Sequence, residues 1–445
     1  MKKELGQEPI YDAKELGVPK MLVLGLQHLF AMFGATVLVP ILVQGYGLPL
    51  SIQTTLLFAG LGTLLFHVCT KMKVPAFLGS SFAYLGGFSA VASLEAGKYA
   101  TMTPEDKLAH ALGGIVVAGL LYLLLALLFK VLGVKKVMRY FPPIVTGPMI
   151  IMIGLNLAGS AIGNASTNWW LALVAIAVII AANIWGKGMI KIIPILLGVV
   201  VSYIVALITG QVDFSAVNGA SLIGLQKIVI AKFDITSILV MAPIAIAAMM
   251  EHIGDVSAIS STTGRNFIED PGLHRTLIGD GLATAVAGMF GGPANTTYGE
   301  NTGVLALSRV YDPKVIRLAA IYAIVLSFSP KFDALVNSIP AAIVGGVSFI
   351  LYGMISAVGV RNIVENRVDL TKSRNLIIAA VMFVSGLGFS SVGGLTFMVG
   401  NAAVTLTGLA IAALAGVLLN AVLPGNDYEF GSSVTGDKSA DLGSY

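Results

Sequence analysis

The sequence has little charge and almost no cysteine. Asp, Glu, Lys and Arg make up 11% of its 445 residues, whereas an ordinary soluble domain carries about 25%. Its single cysteine, Cys69, cannot form an internal disulfide and excludes a metal site built from several cysteines. The histidines are scattered, and no nucleophile–base pair or metal-ligand spacing is visible, so we do not expect an enzyme.

What the sequence has in abundance is apolar residues, which make up 56% of the chain. Apolar runs of about 20 residues, enough to span a bilayer, recur along it. We therefore predict a multi-pass protein of the cell membrane with one integrated domain at 21–425. The polar segment 1–20 contains no apolar core typical of a cleavable signal peptide, and the polar tail 426–445 is predicted to be disordered.

We predict fourteen membrane segments. Two of them, the third and the tenth, are rich in Gly, Ser, Thr and Pro and are not expected to be simple helices. The segments are 21–43, 49–69, 74–94, 109–133, 142–163, 168–186, 189–209, 236–258, 276–292, 293–308, 313–330, 336–358, 374–394 and 397–423.

Basic residues follow every second segment and precede the first one. Lys71, Lys135 and Arg139 are examples in the first half, and Arg309 and Arg361 in the second. Because short cytoplasmic loops carry an excess of Lys and Arg, both termini are predicted to be cytoplasmic. This bias explains the net charge of +4, so no nucleic-acid partner is expected.

The two halves of the chain look related. Pro75-Ala76 opens the third segment and Pro293-Ala294 opens the tenth, an offset of 218 residues. Gln27-His28 in the first segment matches Glu251-His252 in the eighth, an offset of 224. Seven segments per repeat is an odd number, so the second repeat (about 235–425) would be inverted relative to the first (about 21–210). Inverted repeats with broken helices in matching places are typical of transporters.

The broken segments contain two polar stretches, Gly79–Ser81 and Asn295–Gly299. In hydrocarbon such backbone survives only where it is buried in protein or lines a cavity. We expect each stretch to be extended and to lead into a half-helix, whose free N–H groups suit a carbonyl oxygen or an anion. The alternative is that both are ordinary kinked helices.

Acidic residues in apolar surroundings mark the candidate site. A carboxylate near the bilayer centre costs at least about 2.5 kcal/mol, so such residues usually serve transport or proton transfer. Glu251 and Asp255 lie one helical turn apart, and their repulsion favours keeping a proton on one of them. Glu300 lies in the tenth segment. The alternatives are a structural role for Glu251 and a Lys or Arg partner for Asp255.

Neighbouring residues complete the predicted site. Phe82 and Tyr298 could stack on a flat ring, and Gly299 permits close backbone approach. His28 is predicted either to orient a carboxylate or to be a satisfied core histidine. Asp280, which lies between two glycines, is predicted to stabilise a helix end and not to bind a ligand.

These segments closely resemble the nucleobase–ascorbate transporter family, also called nucleobase/cation symporters, and within it the bacterial uracil permeases. The resemblance covers about residues 20–425, and the motif around Glu300 is highly specific. The matching stretches are 27–40, 78–83, 270–275 and 295–301.

The resemblance implies a fourteen-span fold of two inverted repeats, divided into a core and a gate domain and usually dimeric. It implies import of a nucleobase, here uracil, with a proton and without a cofactor; sodium is the alternative coupling ion. The implied substrate-binding residues are Glu251, Glu300, Phe82, Tyr298 and Gly299, to which we add Ser81 from the polar stretch. The predicted proton-coupling or orienting residues are Glu251, Asp255, His28 and Asn301, of which Asp255 follows from its spacing to Glu251 and not from the resemblance.

One residue departs from the pattern of uracil permeases. Asp255 stands where that pattern has a histidine four residues after the first glutamate, a choice closer to the xanthine and purine branch. A xanthine or purine permease is therefore an alternative within the family. An anion transporter or channel of similar fold is an alternative of another class, although two acidic residues at the site should repel anions.

Overall fold

The computed structural model describes residues 8–95, 97–399 and 402–428, and this part of the chain is mostly α-helical. The helices of the first half are α1 (Val18–Gly45), α2 (Ile52–Cys69), α3 (Leu85–Ala92), α4 (Pro104–Leu132), α5 (Val134–Met138), α6 (Pro143–Asn156), α7 (Ala158–Ala165), α8 (Trp169–Ile184), α9 (Met189–Ile192), α10 (Pro194–Ile208) and α11 (Ser215–Gly219).

The second half contains ten further helices among the described residues. They are α12 (Ile235–Met241), α13 (Ile244–Thr263), α14 (Leu273–Met289), α15 (Gly299–Ser308), α16 (Pro313–Ser327), α17 (Pro330–Asn337), α18 (Ala341–Glu365), α19 (Ser373–Phe383), α20 (Phe389–Ser391) and α21 (Gly408–Val422). Short 3-10 helices occupy Ala13–Leu16, Phe82–Tyr84 and Gly97–Thr101, and π-type turns occupy Ile268–Gly272 and Val384–Gly388.

Four short strands form two antiparallel pairs. They are β1 (Leu78–Ser80), β2 (Asn295–Thr297), β3 (Leu395–Val399) and β4 (Ala402–Leu406). β1 pairs with β2 although more than 200 residues separate them, whereas β3 and β4 form a local hairpin. The first pair therefore joins the two halves of the chain.

Seven helical stretches in the described residues are long and apolar enough to cross a membrane. They are Val18–Gly45, Ile52–Cys69, Pro104–Leu132, Pro143–Ala165, Ile235–Thr263, Ala341–Glu365 and Ser373–Ser391. The bent pair α16–α17 brings the count to eight if it is one span, and α8, α10 and α21 are shorter apolar helices. The prediction of a mainly α-helical membrane protein is confirmed at this level.

The outer surface of α4 shows the environment of these helices. Leu120, Leu124, Leu127 and Val131 follow one another at helical spacing, and all four side chains are exposed. A contiguous exposed apolar face of this kind would be unfavourable in water. It is suited to contact with lipid chains.

The last predicted segment, 397–423, is wrong as a single helix. Strands β3 and β4 occupy its first part, and the helix α21 begins only at Gly408. Each strand contains one Thr among apolar residues, and Gly400-Asn401, a pair typical of turns, separates them in the sequence. Thr407 then caps α21, because its side chain accepts a hydrogen bond from Ala410 N.

The predicted segment 313–330 also ends differently. Helix α16 stops at Ser327, and α17 starts at Pro330 with an axis bent by 89°. Ser329 caps α17 by accepting a hydrogen bond from Phe332 N, and Pro330 occupies its first position. A cap followed by proline starts a new helix rather than continuing the old one.

Candidate functional site

The candidate site is built on the crossing of β1 and β2. Both predicted extended stretches are present as buried strands, paired Leu78 with Thr297, Gly79 with Thr296 and Ser80 with Asn295. Each strand therefore satisfies part of the other's backbone, as hydrocarbon surroundings require.

Hydrogen bonds beyond the strands fix the relation between the two halves. Ser81 N donates to Ala294 O (2.8 Å), and Tyr298 N donates to Phe77 O (3.0 Å). Residues 77 and 294, like 81 and 298, are 217 positions apart. The structure therefore makes residues 217 positions apart equivalent. The sequence match of the two prolines, which are 218 positions apart, is off by one residue.

A half-helix follows each strand. After β1 the chain turns through the 3-10 helix Phe82–Tyr84 into α3, and after β2 it enters α15 at Gly299. Neither Ser81 nor Tyr298, the residues that precede these turns, caps them with its side chain. The N–H groups of Phe82 and Gly299, at the starts of these turns, therefore remain available as donors.

Three carboxylates lie at this crossing. Glu251 and Asp255 come from α13 and Glu300 from the first turn of α15, and all three are half-buried. Asp255 and Glu300 both act electrostatically on the Glu251 carboxylate. No Lys or Arg of the described residues forms an ion pair with any of the three, so the site carries excess negative charge unless protons are bound.

The three acids differ in their contacts. Asp255 Oδ2 accepts a hydrogen bond from Thr297 Oγ1 at 3.0 Å, and a Cβ at Gly299 would lie 3.8 Å from its other oxygen. Asp255 therefore faces the N-terminus of α15. In contrast, the buried Oε2 of Glu251 has no hydrogen-bond partner in the described chain. This buried oxygen of Glu251 can therefore accept a proton or a donor group of a ligand.

Both predicted aromatic residues are buried. The Tyr298 hydroxyl donates to Ser80 O (2.9 Å), and its ring lies where a Cβ at Gly79 would be. The Phe82 ring meets Tyr352 edge-on at 5.7 Å. Tyr298 thus packs across the strand crossing, where only glycine fits at position 79. Stacking of either ring on a ligand stays a prediction.

His28 and Asn301 join the first helix to α15. Asn301 Nδ2 donates to His28 O (3.0 Å) and lies 3.2 Å from His28 Nδ1. Since an amide nitrogen only donates, Nδ1 is the acceptor and the ring proton lies on Nε2. No carboxylate of the described residues bonds to this ring. The histidine contacts a residue of the predicted site without touching its acids.

The expectation for Asp280 is wrong. It lies in the middle of α14, not at a helix end, and is fully buried with an oxygen 3.1 Å from His252 Nδ1. Thr297 Oγ1 lies 3.5 Å from the same nitrogen. Asp280, His252, Thr297 and Asp255 therefore form a continuous polar row. The sequence signal for a polar partner of Asp280 was the Glu251-His252 pair. Consecutive residues of a helix lie on neighbouring faces, so His252 lies on a different face of α13 from Glu251.

No group of three or more His, Cys, Asp or Glu residues within 8–95, 97–399 and 402–428 is arranged to hold a metal ion. The site offers carboxylate acceptors and backbone donors instead. It is suited to a small polar ligand that carries both N–H groups and carbonyl oxygens, and to protons.

Comparison with known proteins identifies the family of this chain. Residues 19–395 match a permease family that contains the nucleobase–ascorbate transporters. The chain belongs to this family. It is therefore a transport protein of the membrane and not an enzyme.

Several relatives are similar over almost their whole length. A uracil permease of Bacillus caldolyticus is 42% identical over 434 residues, covering 94% of this chain and 95% of the relative. A uracil permease of Bacillus subtilis is 40% identical, covering 90% and 91%. One of Escherichia coli is 38% identical, covering 90% of each chain.

Solved structures share the fold at low identity. The transmembrane domain of the cyanobacterial bicarbonate transporter BicA has a TM-score of 0.61 at 16% identity, covering 86% of this chain and 98% of that one. The structure of SLC26A9 has a TM-score of 0.65 at 12% identity, covering 92% and 66%. These similarities identify the architecture and carry no argument about the substrate.

Proposed function

We propose that this chain imports uracil together with a proton across a cell membrane. Relatives that match nine-tenths or more of the chain are named uracil permeases. The observation that carries the proposal is the cluster of Glu251, Asp255 and Glu300 beside two uncapped half-helix N-termini. A neutral base and a proton fit such a cluster better than an anion does.

Recognition of the base uses both kinds of group. Uracil presents ring N–H donors and carbonyl acceptors around a flat ring. In this proposal Glu251 and Glu300 each accept a ring N–H, while the backbone N–H of Gly299 or Phe82 donates to a carbonyl. Ser81 supports this arrangement, because its buried hydroxyl has no partner in the described chain. Phe82 and Tyr298 supply aromatic surface around the base.

Proton coupling is assigned to Glu251. The buried Oε2 of Glu251 has no hydrogen-bond partner in the described chain, and the Asp255 and Glu300 carboxylates act electrostatically on Glu251. A proton bound to Glu251 therefore relieves the repulsion among the three carboxylates. A protonated Glu251 can also change its hydrogen bonding to the base. Asp255, His28 and Asn301 orient this site. Sodium is the alternative coupling ion, and no cofactor is required.

We place the site within a larger architecture that the family resemblance implies. In it, the domain at 21–425 contains fourteen spans in two inverted repeats, about 21–210 and 235–425. Core and gate domains move against each other to open the site alternately to either side. Both termini are cytoplasmic, and two copies form a homodimer. Of the polar tail 426–445, residues 429–445 lie outside the described part of the chain.

Within the family, transport of xanthine or another purine is the second candidate, because Asp255 replaces a histidine of the uracil pattern. An anion transporter or channel is the candidate from another class, because the N-termini of half-helices suit an anion. Competition by unlabelled bases against uptake of labelled uracil distinguishes a uracil transporter from a purine transporter. Uptake of an anion such as bicarbonate tests the anion transporter or channel.

The central experiment is uptake of radiolabelled uracil into proteoliposomes with a proton or a sodium gradient imposed separately. We expect accumulation with the proton gradient alone. Accumulation driven by sodium would reassign the coupling ion. Absence of uracil uptake under both gradients would contradict the proposed substrate.

The Glu251→Gln variant tests the coupling residue. Glutamine keeps the size of the side chain but cannot take up a proton near neutral pH. We expect gradient-driven accumulation to disappear, while binding of uracil is partly retained. Transport by this variant at the wild-type rate across a pH gradient would refute the assignment.

A further inference from the structure

A threonine in α2 holds the start of the first strand. Thr63 Oγ1 accepts a hydrogen bond from Leu78 N at 2.8 Å and lies 3.3 Å from Leu78 O. The hydroxyl also donates to Ala59 O, one turn back in its own helix, at 2.8 Å. Thr63 is fully buried. One side chain therefore contacts both backbone polar groups of the first residue of β1.

A threonine in α14 does the same for the second strand. Thr284 Oγ1 accepts from Asn295 N and donates to Asn295 O, both at 3.1 Å. Asn295 is the first residue of β2, and Thr284 is fully buried. The contact thus reproduces the one between Thr63 and Leu78.

The two threonines occupy equivalent positions. Thr63 lies eleven residues after the first residue of α2, and Thr284 lies eleven after the first residue of α14. Their targets, Leu78 and Asn295, are separated by the 217 positions that also relate the hydrogen bonds between the strands. Neither threonine was singled out from the sequence, since hydroxyl residues within apolar helices usually bond to their own helix.

The geometry of an antiparallel pair explains why the threonines are needed. Phe77 O and Ser81 N point at the partner strand, and alternate residues point in opposite directions. The N–H and C=O of Leu78 consequently point away from β2, and those of Asn295 point away from β1. With no water in hydrocarbon, these groups need a side-chain partner.

We propose that Thr63 and Thr284 are a pair of positioning residues that fix the two strands and thereby place the half-helix N-termini at the substrate. Leu78 is four residues before Phe82, and Asn295 is four before Gly299, so a shift of either strand moves a donor of the site. This proposal rests on the proposed function, because it assumes that the strand crossing receives the base.

Valine substitution tests the pair, since valine keeps the shape of threonine and removes the hydroxyl. Thr63→Val and Thr284→Val are each expected to raise the Kd for uracil about tenfold, because a small displacement of donors and the loss of one buried bond together weaken binding by that order. Binding is measured calorimetrically on purified protein at one pH without a gradient. Thr63→Ser and Thr284→Ser, which keep the hydroxyl, are expected to bind within about threefold of wild type.

The same helices offer matched controls. Thr55 and Thr276 lie three residues after the starts of α2 and α14, and both are buried. Their hydroxyls donate only to their own helices, at Ser51 O (2.8 Å) and Leu273 O (3.1 Å). Thr55→Val and Thr276→Val should therefore leave the Kd within about twofold of wild type.

Two results would overturn the proposal. One is an unchanged Kd in Thr63→Val and Thr284→Val while wild type binds uracil. The other is an equal loss of affinity in the control pair. If the valine variants do not fold, Thr63→Ala is compared with Thr63→Ser, since these differ only by the hydroxyl, and equal affinities again overturn it. Failure of wild type to bind uracil counts against the proposed function instead.

Discussion

The two broken spans are alike where they cross and different where their half-helices begin. At the crossing, each strand has the same length, pairs with the other and is held by an equivalent threonine. The first half-helix begins at the uncharged Ser81 and Phe82, whereas the second begins at Gly299 and Glu300. A symmetric scaffold thus carries an asymmetric site, with its charge on one side.

Glu251 and Asp255 increase this asymmetry. Both come from α13, in the second half of the chain, and Asp255 faces the N-terminus of α15. The sequence match predicts that Gln27-His28 in the first half corresponds to Glu251-His252 in the second, with an amide in place of an acid. In the proposed function, recognition of ring N–H groups therefore falls to the second half, and the first half supplies Phe82 and neutral donors.

The largest expected effect follows from this difference. Glu300→Gln removes a charged acceptor and should raise the uracil Kd about ten- to a hundredfold, since a hydrogen bond to a charged group contributes about 1.5–3 kcal/mol. Ser81→Ala, at the matching place in the first half, should raise it less than about threefold. Equilibrium binding of both variants checks the comparison.

Similar losses in the two variants would contradict a division of roles between the halves. The melting temperature without ligand serves as the control. We expect it to change little in either variant, because Glu300 is only half-buried and the Ser81 hydroxyl has no partner in the described chain.

Much of this site follows from the sequence. Gly, Ser and Thr in an apolar context predicted the extended stretches, and the cost of buried charge singled out Glu251 and Glu300. The positions of Thr63 and Thr284 were not predictable in this way. Their role depends on which backbone groups of a strand point away from its partner, and a one-residue shift of register reverses that.

The role of Asp280 was missed for a similar reason. Its flanking glycines indicated a helix end, but tertiary packing keeps α14 intact and places Asp280 against His252. The hairpin β3–β4 was missed because apolarity alone does not distinguish a short apolar strand from a helix. Local patterns therefore identified the polar groups, while partners from distant segments decided their roles.

The far ends of the two half-helices differ as well. After α15, Ile10 N donates to Arg309 O and Tyr311 N donates to Ile10 O, each at 2.8 Å. Tyr11 extends this contact to α13, because its hydroxyl donates to Thr263 O at 2.8 Å and the Arg265 guanidinium lies 4.1 Å from its ring. The beginning of the chain thus fastens the two helices that carry the acids of the site.

Tyr11→Ala should weaken this connection. Loss of one hydrogen bond and of a cation–π contact predicts a decrease of about 1–2 kcal/mol in stability, measured as a lower melting temperature in detergent. Tyr11→Phe keeps the ring over Arg265 and should lose about half as much. If both variants melt like wild type, the N-terminal contact does not hold the second half-helix. The far ends of the two half-helices would then be held equally.

The smallest effect concerns the end of α3. Backbone hydrogen bonds hold the chain after α15, whereas a side chain holds the end of α3. Lys107 Nζ donates to Ala92 O (2.9 Å) and Leu94 O (2.8 Å). Lys107→Met keeps the apolar stem, and we expect it to lower the stability by about 1 kcal/mol with an unchanged uracil Kd. Arg361→Met, which breaks the exposed ion pair with Glu365, is the control and should be close to neutral. A loss of uracil affinity in Lys107→Met as large as in Glu300→Gln would mean that the first half-helix also determines recognition.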